Sequence, residues 1–314
     1  MRRGLLLLAL LLALAGCGVG AGKAPKGGGT EMTVSRDFGA EQMGASKQKT
    51  IPAGETVMRL LQRRFEVTTR YGGGFVQEID GVGGGRRSGR PVDWFFYVNG
   101  IEASSGAAAR RLEPGDRVWW DRHDWGAAMR VPAVVGSYPA PFVSYTKGKR
   151  APVRIDCGAG AERACREVQT RLQNAGAQVG GTAVIGQQSS RGVLRVIVGR
   201  WSEVRRDLAA RRIEDGPKVS GVYARPSAKG DRFELLDASG AVAQALGAGS
   251  GLVAATSFLD QQPTWIVAGT DDVGVAAAAA AMDENRLTDH FAVAIENGRE
   301  APLPLPVGAG TGAP

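Results

Sequence analysis

Histidine is nearly missing from this chain. Its 314 residues include two, His123 and His290, together with three cysteines. Two imidazoles so far apart exclude a His-Glu-x-x-His zinc site, and no Gly-x-Ser-x-Gly elbow marks a serine nucleophile. Neither the cysteine spacing nor a nearby histidine supports a zinc pair or a redox pair. The apolar run at the N-terminus, Leu5 to Leu14, is too short for a comfortable membrane span. Charge of one sign is in modest excess, 39 basic residues against 31 acidic. Most of the bases are arginine, and glycine and alanine are abundant, so composition bias accounts for much of the excess. A surplus this diffuse suits an anionic membrane surface or a wall polymer and does not name nucleic acid. A hydrophobic fraction of 43% is enough for real cores. The length indicates roughly two domains.

What is present begins with Met1-Arg2-Arg3, the apolar run and then Leu14-Ala15-Gly16-Cys17. A positive start, an apolar stretch and small residues before a cysteine resemble the bacterial lipobox. The resemblance implies that residues 1–16 are removed as a signal peptide. Cys17 then carries lipid and anchors an extracytoplasmic protein to the cell membrane. Without Arg2 and Arg3 the balance is 37 basic to 31 acidic. Cys157 and Cys165, eight apart in an oxidising compartment, are expected to form a local disulfide. Residues 17–30 read as the lipidated cysteine and a Gly/Ala/Lys tether. Its Gly18–Lys23 stretch fails as a phosphate loop, because Ala24 stands where Ser or Thr is required and no strand precedes it.

Residues 31–130 read as a small α+β domain. Met32–Ser35 alternates as a strand. Val57, Leu60, Leu61 and Phe65 predict an amphipathic helix from about Glu55 to Phe65. Phe75–Ile79 is a second strand, and Gly83–Arg90 reads as a Gly/Arg loop. Asn99-Gly100 between Trp94–Val98 and Ile101–Ala103 is a hairpin signal, because a two-residue turn needs positive φ at both central positions. Leu112–Asp116 turns into a last strand, Arg117–Asp121. A Pro-rich connector spans 131–152.

From 153 to 298 strand and helix alternate, which predicts an α/β domain with a mainly parallel sheet. Strands are expected at Val153–Asp156, Val193–Val198, Gly221–Ala224, Phe233–Leu236, Thr264–Ala268 and Phe291–Ile295. Helices are expected along the Ala161–Leu172 stripe, from Trp201 with Ser202 as its cap, at Ala241–Leu246 and at Val273–Met282. Residues 299–314 read as a disordered tail.

In the first domain, Pro52–Val57, Gly74-Phe75-Val76 with Ile79-Asp80-Gly81, Trp94–Val98 ending in Asn99-Gly100, and Leu112–Val118 together resemble the transcobalamin-like C-terminal domain, a β-grasp-related module known as DUF4430. The resemblance covers about residues 32–125. It implies a β-grasp-like fold and ligand binding rather than catalysis, with a corrinoid as the ligand by resemblance alone. The chain lacks the large helical barrel of cobalamin carriers, so no cobalamin-contacting residue carries over.

Strand alternation puts Trp119, Asp121 and His123 on one face and Val118 and Trp120 on the other. Phe95 and Tyr97 likewise oppose Trp94, Phe96 and Val98. Phe95, Tyr97, Trp119, Asp121, His123 and Trp125 are the candidate ligand platform, flat aromatics with a few polar groups. Packing of that face against the second domain is the competing expectation. Gly247–Gly251 has the wrong spacing for a dinucleotide fingerprint and is read as a turn after a helix. Asp271 and Asp272 are read as caps of the alanine-rich helix. No metal site, catalytic residue or nucleic-acid partner is nominated. The leading expectation is a non-catalytic lipoprotein that binds a small molecule or an envelope protein partner. Two alternatives stay open: an envelope enzyme with its site at the carboxyl edge of the α/β sheet, and a structural scaffold of a membrane complex.

Overall fold

A computed structural model describes residues 28–308 apart from 72, 147, 188–191 and 258–261. The expected signal peptide, the expected lipidation site Cys17, the expected tether up to residue 27 and the tail from 309 lie outside the described residues.

The first domain contains β1 (Thr30–Arg36), β2 (Glu41–Gln48), β3 (Val67–Arg70), β4 (Phe75–Ile79), β5 (Val82–Gly83), β6 (Gly85–Arg87), β7 (Arg90–Val98), β8 (Ile101–Glu102) and β9 (Arg117–Asp124). Its main sheet has the order β2-β1-β9-β7-β6, with β8 paired to β7. Only β1 and β9 run parallel in it. β3, β4 and β5 form a small second sheet. The helix is shorter than expected, Val57–Gln62, because Thr56 caps it by accepting from Arg59 N. Val57, Met58, Leu60 and Leu61 are its buried face, packed with Val34, Trp94, Val118 and Trp120. Asn99 and Gly100 have φ of 55° and 74°. Asn99 also ties the hairpin to β9, donating to Asp116 Oδ1 (2.7 Å) and accepting from Arg117 N (2.9 Å). The Gly83–Arg90 loop is corrected. Most of it is β-structure, with β6 and β7 joined through Ser88 and Gly89, both at positive φ.

The second domain contains β10 (Val153–Cys157), β11 (Val179–Val184), β12 (Leu194–Arg200), β13 (Ala224–Pro226), β14 (Phe233–Leu236), β15 (Val242–Leu246), β16 (Gly251–Thr256), β17 (Thr264–Gly269), β18 (Ala292–Glu296) and β19 (Arg299–Leu303). Its large sheet has the order β11-β10-β12-β17-β16-β18-β19. The β11-β10-β12-β17 half is parallel, and the β17-β16-β18-β19 half is antiparallel. The expected mainly parallel sheet is therefore a mixed one. The cause is local, since short turns can only reverse a strand and parallel neighbours need a crossover. Asn297-Gly298, at φ 51° and 75°, makes such a turn between β18 and β19. That turn also corrects the disordered tail, because Arg299–Leu303 is a strand and Leu305 N donates to Leu236 O (2.9 Å). The Ala241–Leu246 helix is corrected to β15, which pairs with β14, so tertiary pairing overrides alanine's helical preference. Ser202 is not a cap. Arg200 holds that position, and Asp207 caps the following helix, Leu208–Arg211, through Ala209 N and Ala210 N.

Cys157 ends β10 and Cys165 lies in the helix Glu162–Asn174. They form a disulfide with Cα atoms 6.2 Å apart. Closing so short a loop is worth about 2–3 kcal/mol in the chain-entropy account. The paired Cys157→Ser, Cys165→Ser variant is expected to lose that much in urea unfolding. Under reducing conditions the wild-type chain should show the same loss.

The first part of the connector, Val131–Val143, is packed rather than free-standing. Val131, Val134, Val135, Tyr138 and Phe142 are buried among both domains. Val134 N donates to Gly100 O (2.9 Å) in the first domain, and Val135 N donates to Phe291 O (3.2 Å) in the second. One core, holding Phe38, Tyr97, Trp119, Trp201, Tyr223 and Phe291, therefore runs through both domains.

Candidate functional site

The junction is built around a turn that strands alone would not make. Asp37, Phe38 and Gly39, between β1 and β2, have φ of 58°, 62° and 85°. Left-handed backbone is costly for non-glycine residues, so such a turn needs outside support. Asp121 on β9 supplies it. Its carboxylate accepts from Phe38 N (3.0 Å), Gly39 N (2.9 Å) and Ser35 Oγ (2.6 Å). His123 Nδ1 donates to the same carboxylate at 2.9 Å. Ser35 Oγ in turn accepts from Trp119 Nε1 (2.7 Å). Asp121 is 0% and His123 1% exposed, so the network is shielded from bulk solvent.

The six platform residues divide in two ways. Phe95, Tyr97, Trp119, Asp121 and His123 do come together, but beneath the second domain instead of facing solvent. The His123 ring stacks on Phe95 (4.5 Å between centroids), tilts against Phe38 (4.7 Å) and meets the edge of Phe291 (5.1 Å). Tyr97 and Trp119 also pack on Phe291. Trp125 stands apart, half-buried, its Nε1 donating to Asp93 Oδ2 (2.8 Å). The exposed platform is thus corrected. The aromatic face is too apolar to remain wet when a complementary surface lies in the same chain. Two phenols are enclosed with it. The hydroxyls of Tyr97 and Tyr223 have no hydrogen-bond partner among the described residues. Burial pushes both phenol pKa values up, and Glu102 and Asp121 add to the effect at Tyr97.

At the rim of this core lies a cleft of about 440 Å³ between the domains. Phe38 and Val92 form its apolar floor, and Pro304, Leu305 and Pro306 line it from the second domain. Charged groups surround them. Arg87 pairs with Asp37 (2.7 Å), Arg90 pairs with Asp124, and Arg90 also donates to Ala238 O (2.6 Å). Sequence reading missed Phe38, Arg87 and Arg90. The one available signal was the Asp37-Phe38-Gly39 break that ends the alternating Met32–Ser35 stretch.

The carboxyl edge of the large sheet offers less room. Asp271 caps the helix Asp272–Ala280 by accepting from Gly274 N (2.9 Å), and it also accepts from Gly249 N (2.7 Å). Asp272 pairs with Arg200. A side chain at Gly269 would meet Val275 N at 2.1 Å, and one at Gly274 would meet Ser250 O at 2.0 Å. Backbone therefore fills the space a phosphate would need. The Gly247–Gly251 turn follows a strand, β15, and not a helix. Among the described residues, no group of three His, Cys, Asp or Glu side chains is placed to hold a metal ion.

His290 lies half-buried beside Gly136, and burial holds its pKa below the ordinary 6.5 against opposing contributions from Asp289 and Glu300. As pH falls through about 6.5 the unfolded chain takes up this proton before the folded one does, so stability present at neutral pH is lost. Melting temperatures measured at pH 7.5 and 5.5 should differ less in His290→Gln than in wild type.

No curated protein matches the chain. Among solved structures it is similar to "a putative metal binding protein from Ruminococcus gnavus ATCC 29149", at 11% identity over 31% of this chain and 97% of that one. The TM-score of 0.25 is too low to carry an argument. Residues 54–124, which run from the turn before the helix to the last residue of β9, match the family described as Domain of unknown function (DUF4430).

Proposed function

We propose that the mature chain is an extracytoplasmic, lipid-anchored protein that binds a small amphipathic molecule without chemically changing it, in the cleft at the domain junction. The cleft is the observation that carries this reading. Its volume is within the range of small-molecule sites, and it sets an apolar floor against a few fixed charges, the usual composition of such sites. The Arg87–Asp37 and Arg90–Asp124 pairs line it side by side, offering a ligand both guanidinium donors and carboxylate acceptors. The packed carboxyl edge of the large sheet favours binding over an enzyme seated there. The lipobox-like start and the Cys157–Cys165 disulfide support an oxidising, extracytoplasmic setting. The DUF4430 match supports reading the first domain as a β-grasp-like, transcobalamin-like module. The pairing of β1 parallel to β9 beside a single packed helix is consistent with that fold. A corrinoid therefore belongs in the first ligand panel.

Native mass spectrometry of the full chain extracted from its own envelope tests the proposal. An extra mass that leaves on denaturation, and that is missing from the Arg87→Ala, Arg90→Ala variant, is the expected result. A bare mass for both proteins, with no heat of binding across a panel of corrinoids and glycans, would sink the small-ligand reading.

A further inference from the structure

We propose that the tip of the β3–β4 hairpin is a second, direct contact with an anionic lipid surface, made by Tyr71 and Phe75 and by the arginines around them. This rests on the anchored reading above only for the direction in which the body faces.

Tyr71 is 86% exposed at a left-handed turn position, and Phe75 on the next strand is 37% exposed. They flank one turn, since Gly74 N donates to Tyr71 O (3.4 Å) and Phe75 pairs with Arg70 across the hairpin. A tyrosine held out at a loop tip beside cations suits the headgroup zone of a bilayer, where its aromatic body and its hydroxyl are both satisfied, and the Phe75 ring beside it adds apolar area.

The cations come from three elements brought to the same end. A side chain at Gly106 would meet Gly74 O at 3.2 Å, so the Gly106 turn lies against the hairpin tip. From that turn Arg110 O accepts from Val57 N (3.0 Å), and Arg111 pairs with Thr56 at the helix start. Arg59 belongs to the first turn of that helix, and Arg70 to the hairpin. Arg59, Arg70 and Arg111 are exposed and make no ion pair among the described residues. On the hairpin itself the exposed acids Glu66 and Asp80 are joined at the end away from the tip, where Glu66 N donates to Asp80 Oδ1 (2.7 Å), and the half-buried Glu78 lies between, opposite Thr68. The tip is therefore cationic as well as aromatic.

Chain length places this tip near a membrane. Gly29 O accepts from Gly115 N (2.8 Å), and Thr30 Oγ1 donates to Asp116 O (2.6 Å). Arg110 lies 3.9 Å from the Asp116 carboxylate. The described chain thus starts beside the arginine cluster. Residues 18–27 extend at most about 35 Å, so a lipid on Cys17 keeps this end close to the headgroups. Lipid attraction and the patch then reinforce each other, as one anchor plus a basic surface does generally.

The test uses the full chain, isolated with its own N-terminus and reconstituted into vesicles. One set contains phosphatidylglycerol and phosphatidylcholine in equal parts, and the other phosphatidylcholine alone. Tyr71→Cys carries a nitroxide, whose apolar ring replaces the phenol, and its spectrum separates immersed from aqueous label. The expected result is immersion in the phosphatidylglycerol vesicles. The ratio of immersed to aqueous signal should fall roughly 100-fold when Arg59, Arg70 and Arg111 are replaced by serine, at about five-fold for each charge. A label that stays aqueous in both vesicle types while the protein remains anchored would overturn the proposal. Intact mass of the same preparation reports acylation separately. A chain without acyl groups overturns the anchored reading. Its sedimentation with the phosphatidylglycerol vesicles would still support the tip, and its retention in the supernatant would overturn it.

Discussion

Asp121→Ala is expected to lower stability by about 3–5 kcal/mol, among the largest losses any single side chain here should produce. The carboxylate accepts four hydrogen bonds in an interior shielded from bulk solvent, from Ser35 Oγ, Phe38 N, Gly39 N and His123 Nδ1. Ser35 Oγ can turn to Trp120 O (3.4 Å), but alanine leaves Phe38 N, Gly39 N and His123 Nδ1 without this acceptor, and each unsatisfied donor costs about 1–3 kcal/mol before relaxation. It also releases the left-handed Asp37-Phe38-Gly39 turn, whose backbone cost is then uncompensated. Because Phe38 packs on Tyr223 and Phe291, the loss reaches the second domain. Urea unfolding followed by both tryptophan fluorescence and circular dichroism should show one transition at a lower midpoint. Asp121→Asn, which keeps one acceptor but turns a donor toward donors, should fall between the two. An unchanged midpoint in Asp121→Ala would mean that the carboxylate does not organise the junction.

Gly39→Ala is expected to cost about 2–5 kcal/mol through a different route. At φ 85° a side chain is strained, and its Cβ would stand 1.9 Å from Asp289 O in the second domain. Gly298→Ala separates the two contributions. That glycine has φ 75° but open space around it, so its substitution should carry only the backbone cost of about 1–2 kcal/mol. Equal midpoints for the two variants in parallel urea melts would show that the close approach at Gly39 is soft. A similar approach occurs at Gly136, where a side chain would meet Trp119 Cζ3 at 2.7 Å and His290 N at 2.8 Å.

Local signals in the sequence were faithful where local chemistry decides. Phe75–Ile79 and Phe233–Leu236 are strands at the expected bounds, Asn99-Gly100 turns the hairpin, and Asp271 caps its helix. The polar edge strand Glu41–Gln48 has no alternation to betray it, because an edge exposed on most sides has no face to mark. Val242–Leu246 looked helical because its partner, Phe233–Leu236, is what makes it a strand. For the site the limit was of another kind. Alternation grouped Trp119, Asp121 and His123 on one face, yet periodicity within a strand carries no information about what covers that face. Arg87, Arg90, Phe38 and Leu305 come from distant parts of the chain, so no motif joins them before folding does.

Phe291 closes the junction from the end of the chain, and this sets an order of events. Phe95, Tyr97 and Trp119 are synthesised early, and the ring that covers them emerges nearly two hundred residues later. During synthesis the first domain therefore carries an uncovered aromatic face until Phe291 has been made. A product truncated before Phe291 keeps that face exposed, the condition that favours aggregation of partly folded chains. The junction thus acts as a length check, since only a chain that runs through its penultimate strand can hide its own stickiest surface.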